Sequence, residues 1–299
     1  MKSFHLHYQK LRSALALTAL LVMFAGALPA AAAPGDIITD LIVPEAQTIY
    51  QLGMAKAIAM DGKYLYYAEY MGSVMHRIDV PPQGTGLITG HTDIPIVGTP
   101  SGVMTFAYDR GRDLFWAVSG DGSIIYTITK GGIATQRFTI DTQNGLPGNC
   151  KSSCGLEVKM AYDRSDDSIW YAPDNTQRIY HFATTGNAMG KGVLVAATPY
   201  VDVDVAPNSF APECASSAVS GIATGGSGLF IAAQNCKYYF EFSKTGTKVG
   251  GTARPFHTFG GLACDNISYT VSVIWMRYGW NGHVYAFEQP RASACVYGG

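Results

Sequence analysis

Between Ile58 and Glu288 the chain returns five times to one alternation of apolar and polar positions. Each copy has an apolar entry ending in Ala-x-Asp or a close variant, a hydrophobic and aromatic run, and a third run in which bulky residues recur every second position. The copies read IAMDGKYLYYAEYMGSVMHRIDV from Ile58, FAYDRGRDLFWAVSGDGSIIYTIT from Phe106, MAYDRSDDSIWYAPDNTQRIYHFA from Met160, IATGGSGLFIAAQNCKYYFEFS from Ile222 and LACDNISYTVSVIWMRYGWNGHVYAFE from Leu262. Their middle runs (Leu65-Tyr66-Tyr67-Ala68, Leu114-Phe115-Trp116-Ala117, Ile169-Trp170-Tyr171-Ala172, Leu229-Phe230-Ile231-Ala232, Ile274-Trp275-Met276-Arg277) have the length and aromatic content of strands. The third runs place His76 with Ile78, Tyr126 with Ile128, Tyr180 with Phe182, Phe240 with Phe242 and Tyr285 with Phe287 on one face of a strand.

Turn formers separate these runs: Asp61-Gly62, Gly120-Asp121-Gly122-Ser123, Asp174-Asn175, Gly225-Gly226-Ser227-Gly228 and Asn281-Gly282. Each copy therefore predicts a three-stranded meander. Segments 86–97, 134–140 and 193–205 are candidates for a fourth strand. The recurring alanines, Ala59, Ala107, Ala161, Ala223 and Ala263, are 48, 54, 62 and 40 residues apart, which brackets the period of a four-stranded propeller blade. Isolated twisted sheets cannot cover both faces, but sheets set radially cover one another. The expectation is an all-β, five-bladed β-propeller of four-stranded antiparallel blades, with a six-bladed ring or a β-sandwich as alternatives. The strand predicted within Asp36–Val43 would complete the fifth blade and close the ring without a bare edge.

Lys2, Lys10 and Arg12, the apolar run Ala14–Ala27 and the tract LPAAAAPGD read as an export signal over residues 1–33, followed by a single domain over 34–299. Removing the three leader cations leaves 18 Lys+Arg against 22 Asp+Glu, a charge near −4, which disfavours nucleic acid as a partner. No later apolar run is long enough to span a membrane. All six cysteines follow the leader, and in an exported chain they predict disulfides. The preferred pairing is Cys150–Cys154, Cys214–Cys236 and Cys264–Cys295, the last fastening the tail to the fifth repeat.

The phrase I-A-x-D, then L-Y/W-x-A, then R-I-Y resembles the repeats of the NHL, virginiamycin B lyase-like and SMP-30/gluconolactonase-like propellers. That resemblance implies the propeller fold, and it spans lactonases, a lyase, calcium-dependent esterases and non-catalytic binding proteins. Its enzymes carry carboxylates, Asn and sometimes His round one mouth of the channel, often with a divalent cation. A full set of those residues is not matched in this chain.

Candidate ligand residues are Asp61, Asp109, Asp163 and Asp265, one per repeat except the fourth, where Gly225 stands. Clustered at one mouth they would suit Ca²⁺, but at strand ends before turns they suit turn formation better, and that is the preferred reading. Glu69, Asp174 and Asn235 follow the second strands, and Trp280, with Tyr278, is a candidate exposed aromatic for stacking a sugar. Asp202 and Asp204 read as edge charges of an outer strand. The histidines after the leader (His76, His91, His181, His257, His283) have no helical ligand spacing. Asn266-Ile-Ser268 is a glycosylation sequon in a eukaryotic setting, and neither a nucleophile elbow nor a P-loop is present. No cofactor is predicted beyond the calcium that those aspartates admit. The expected function is that of a binding or scaffold module outside the cytoplasm, with an extracellular ligand or protein as its partner. The alternatives are a lactonase-like hydrolase with an axial cation and a lectin-like protein.

Overall fold

The structure, a computed structural model, describes residues 32–47, 57–140, 157–173, 176–215, 217–256, 260–278 and 282–299. Cys150, Cys154, Asp174, His257 and Trp280 lie outside the described residues. By its internal contacts the chain divides between Ala33 and Pro34, and the architecture that follows is that of Pro34–Gly299.

Strand β1 (Ile37–Ile42) leads into a single 3-10 turn, Pro44–Gln47. The first blade holds β2 (Ala57–Met60), β3 (Tyr64–Ala68), β4 (Val74–Asp79) and β5 (Thr92–Pro95); the second β6 (Val103–Asp109), β7 (Leu114–Ser119), β8 (Ile124–Thr129) and β9 (Ala134–Thr139). The third holds β10 (Lys159–Asp163), β11 (Ser168–Ala172), β12 (Arg178–Ala183) and β13 (Tyr200–Asp202); the fourth β14 (Val219–Gly225), β15 (Gly228–Ala233), β16 (Tyr238–Ser243) and β17 (Lys248–Ala253). The fifth is composite. Its inner strands β18 (Leu262–Asp265), β19 (Val273–Arg277) and β20 (His283–Glu288) are completed on the outside by β1, antiparallel to β20 with Asp40 opposite Tyr285. All pairings within blades are antiparallel, and the first strands touch in the cyclic order β2, β6, β10, β14, β18 and back to β2. The molecule is thus a five-bladed β-propeller whose ring closes where β1 joins blade five.

Register explains the repeat. Across the first and second strands Ala59 faces Tyr66, Ala107 faces Trp116, Ala161 faces Trp170, Ala223 faces Phe230 and Ala263 faces Trp275. Cross-strand partners share a sheet face. A small residue where five strands crowd together is therefore covered by a large ring one strand further out, where the blades have begun to diverge. Trp116, Trp170 and Trp275 are fully buried in consequence. Two polar residues of the third strands are buried as well: Glu241 is paired with Arg291, and His181 lies on Trp170 with ring centroids 3.8 Å apart.

Two disulfides join Cys214 to Cys236 and Cys264 to Cys295, with Cα atoms 5.8 and 5.2 Å apart. One expectation is corrected. Asp204 is not an edge charge of β13, because the strand ends at Asp202 and Asp204 adopts φ 58°. Its carboxylate organises the following loop, accepting the amides of Phe210 and Ser217 at 2.8 and 3.0 Å, while Asp202 forms a two-pronged pair with Arg178. Among the described residues no helix is long and apolar enough to cross a membrane.

The crowding at the ring's centre yields the first prediction. Ala161→Leu adds three carbons where only about 30 Å³ is free, so it should lower stability by about 1–3 kcal/mol, read as a shifted urea midpoint at unchanged slope.

Candidate functional site

Each aspartate of the repeat lies two residues beyond the axial alanine, on the same face and at the end of the strand. Its Oδ1 closes the next turn. Asp61 accepts the amides of Lys63 and Tyr64 at 2.9 and 2.8 Å, Asp109 those of Gly111 and Arg112 at 2.8 and 3.1 Å, and Asp265 those of Ile267 and Ser268 at 3.0 Å each. Asp163 accepts the amide and hydroxyl of Ser165 at 3.0 and 2.7 Å. The other oxygen receives the ring that covers the alanine: Trp116 Nε1 donates to Asp109 at 3.2 Å, Trp170 Nε1 to Asp163 at 3.2 Å, Trp275 Nε1 to Asp265 at 2.9 Å, and the Tyr66 hydroxyl to Asp61 at 3.1 Å. A buried indole N–H requires an acceptor. In the fourth repeat Phe230 has nothing to donate, and the aspartate is absent too.

Cations complete three of these sets. Lys130 of blade two reaches Asp61 of blade one at 2.7 Å, Lys244 of blade four reaches Asp163 of blade three at 2.6 Å, and Arg112 joins Asp109 to Asp167 at 2.6 Å each. Burial pushes the Asp163 carboxyl up, but the bonds from Lys244, Ser165 and Trp170 outweigh it and hold the group below the ordinary carboxylate range. The four carboxylates occupy separate hydrogen-bond sets. None belongs to a group of converging ligand atoms among the described residues.

Residues 294–299 run across this end of the ring and meet the first turn of every blade. Tyr297 packs on Gly62 and under the Arg110 guanidinium, 4.7 Å from its ring centroid, and its amide donates to Asn266 Oδ1 at 3.2 Å. Gly298 lies on Arg110, Gly299 on Tyr162 and Arg164, and Val296 on Gly225, where any Cβ would collide with the Val296 backbone. The Cys264–Cys295 bridge and the Gln289 amide, bonded to both the N–H and C=O of Cys295 at 2.9 and 2.8 Å, hold this tail. Beneath it the axial channel, lined by the five alanines with Met60, Thr224 and Gly299 among their neighbours, encloses about 30 Å³. That is room for one or two waters, since each needs at least ~10–15 Å³.

Glu69 and Asn235 stand at the opposite end, because second strands run antiparallel to first strands. The aspartates and these residues therefore do not form one mouth. Glu69 pairs with Arg277, whose side chain is fully buried and whose guanidinium lies 4.7 Å from the Tyr67 ring. Asn235, exposed at φ 56°, lines a groove of about 580 Å³ over the Cys214–Cys236 bridge, with Gln234, Lys237, Glu213 and Tyr238. A Ser-His contact, Ser168 Oγ to His181 Nε2 at 2.5 Å, is wholly buried, and Nδ1 faces the Thr198 carbonyl at 3.0 Å, so no substrate reaches it.

One cluster escaped the sequence. Glu45, His76, His91 and Asp93 bring four ligand atoms within 4.8 Å of one another. Residue spacing gives no hint of it, and only the β4–β5 register, which sets His76 opposite Asp93, carries the signal.

No protein-family model matches the chain, and no curated protein matches it. Among solved structures it is similar to virginiamycin B lyase from Staphylococcus aureus (14% identity, 78% of this chain and 65% of that one, TM-score 0.41). It is similar also to a luciferin-regenerating enzyme (8%, 87% and 99%, 0.46) and to Myxococcus xanthus glutaminyl cyclase (13%, 62% and 70%, 0.42). The chain thus spans about two thirds of the lyase's length, and the likeness is one of fold.

Two outcomes are predicted at the tail end. Asp163→Asn should cost about 2 kcal/mol at neutral pH. Because folding depresses the Asp163 pKa, that contribution is present above the unfolded value near ~3.9 and lost as pH falls through the folded one, so unfolding curves of the two proteins should converge in acid. Gly225→Asp should displace Val296 and expose residues 294–299 to limited proteolysis under conditions where the wild-type tail survives.

Proposed function

We propose that the chain is an exported binding module that holds its partner on the end of the ring away from residues 294–299. The observation that carries this reading is the closure of the axis. A channel of about 30 Å³ under a bonded tail is far below the ~300–1,000 Å³ of pockets that take small molecules. The aspartates of that end are engaged with their own turns, rings and cations. At the other end the groove beside Asn235, about 580 Å³, falls within the ligand range. Its wall is braced by the disulfide and by Lys248, which donates to Glu213 at 2.8 Å and holds that carboxyl below its usual range. A braced wall keeps its shape before a ligand arrives, which lowers the ordering cost of binding.

The groove's chemistry favours a saccharide over an apolar ligand. Gln234, Asn235 and the half-buried Tyr238 all line it, a combination that offers hydroxyls two-way hydrogen-bond partners and a sugar face a ring to stack on. On a glycan array the purified protein should retain a subset of saccharides, and Tyr238→Ala should lose them while remaining folded, with a lowered unfolding temperature because the ring also packs on Phe240. Turnover of lactones or esters that depends on added Ca²⁺ would overturn the binding-module reading. Absence of glycan binding alongside absence of turnover would remove only the saccharide.

A further inference from the structure

We infer that Glu45, His76, His91 and Asp93 form a site for one borderline divalent cation of the Zn²⁺ class, which pins the ring at its closing seam. The four atoms surround a point rather than forming separate pairs. His76 Nδ1 lies 2.8 Å from Asp93 Oδ1 and 3.2 Å from Glu45 Oε1, while His91 Nε2 lies 2.8 Å from the same Glu45 oxygen and 3.7 Å from the same Asp93 oxygen. A tetrahedral ion with bonds of ~2.0–2.1 Å separates its ligands by about 3.3 Å, and these separations fall on either side of that value. A small rearrangement of the exposed Asp93 opens the centre.

The donor set selects the ion. Two imidazole nitrogens and two carboxylate oxygens suit zinc and its neighbours, whereas Ca²⁺ asks for six to eight oxygens. The surroundings hold the ligands in place. Tyr67 donates its hydroxyl to Glu45 Oε2 at 2.7 Å, while Oε1 is the oxygen turned to both imidazoles, an arrangement like that of outer-shell partners of metal sites. The rings of Tyr67, His76 and His91 stack in series, with centroids 5.0 and 5.8 Å apart, which fixes both imidazoles. Entry is open on one side, where Asp93 is 63% and His91 30% exposed.

The location gives the ion its role. Glu45 follows β1, the outer strand of blade five, while the other three ligands belong to blade one or its β4–β5 connection. Bound metal would tie these two blades together beside Arg277 and Glu69, which cross the same seam at the inner strands.

The test uses the tag-free full chain, stripped with chelator and titrated with Zn²⁺, Co²⁺ and Ca²⁺. Calorimetry should give one Zn²⁺ per chain. A hundredfold excess over Kd should raise the unfolding midpoint by roughly 5–10 °C, Co²⁺ should develop the visible absorption of a tetrahedral centre, and Ca²⁺ should do neither. His91→Ala, at a partly exposed ring, should fold and lose all three zinc-group signals. No Zn²⁺ heat or shift in the wild type would overturn the proposal. So would equal Zn²⁺ binding by His91→Ala, which would place the ion elsewhere on the chain.

Discussion

Five strands can meet round one axis only if the residue each turns to its neighbours is small. That crowding sets the rest of the repeat. With alanine at the centre, the facing position on the second strand must supply the bulk that alanine lacks, and tryptophan or tyrosine does so in four blades. A large ring that carries N–H or O–H must then find an acceptor in a dry interior, and the side chain two residues beyond the alanine is the one on the right face at the right distance. Ala-x-Asp followed by Trp or Tyr is one solution to packing and hydrogen bonding together, repeated with the symmetry of the ring.

The fourth blade shows that the elements of this solution depend on one another. Phe230 fills the same volume without a donor, so the acceptor is unneeded, and Gly225 stands in its place. The freed space is taken by Val296, and it is this gap in the circle of aspartates that lets the tail pass down to the channel mouth. A substitution that looks like decay of the repeat is therefore the feature that seats residues 294–299. The same end is tied circumferentially by Lys130, Arg112 and Lys244, each bridging adjacent blades.

Much of this was legible in the residues. The five copies, the turn formers between them and the closing strand near residue 40 follow from local pattern, because a strand's period and a turn's chemistry are local properties; the two cysteine pairs Cys214–Cys236 and Cys264–Cys295 follow the preferred pairing, one within the fourth repeat and one from the tail to the fifth. The joint loss of Asp and of the polar ring in repeat four is also present in the sequence, at Gly225 and Phe230. What could not be read depends on register and on chain direction across strands. Glu69 and Asn235 stand opposite the aspartates because successive strands reverse. His76 and His91, fifteen positions apart, meet Glu45 only after β1 has been laid on blade five. Asp204 leaves the strand pattern because β13 stops at Asp202 and Asp204 turns left-handed, which alternation alone does not mark.

The seam is where a closed ring differs from five stacked sheets. Four of the blade junctions join segments consecutive in sequence, but the fifth must be made by residues far apart in the chain, and its closure carries the largest loop entropy. The molecule concentrates strong interactions there. β1 pairs with β20 from Ile37 to Ile42 with one irregularity after Ile37; the fully buried Arg277 pairs with Glu69 and sits against Tyr67; and Tyr67 bonds Glu45, which follows β1. A buried cation with one carboxylate partner is a costly way to gain stability. At the junction that must distinguish the closed ring from an open one, its demand for a specific geometry favours one register of blade one against blade five over its neighbours.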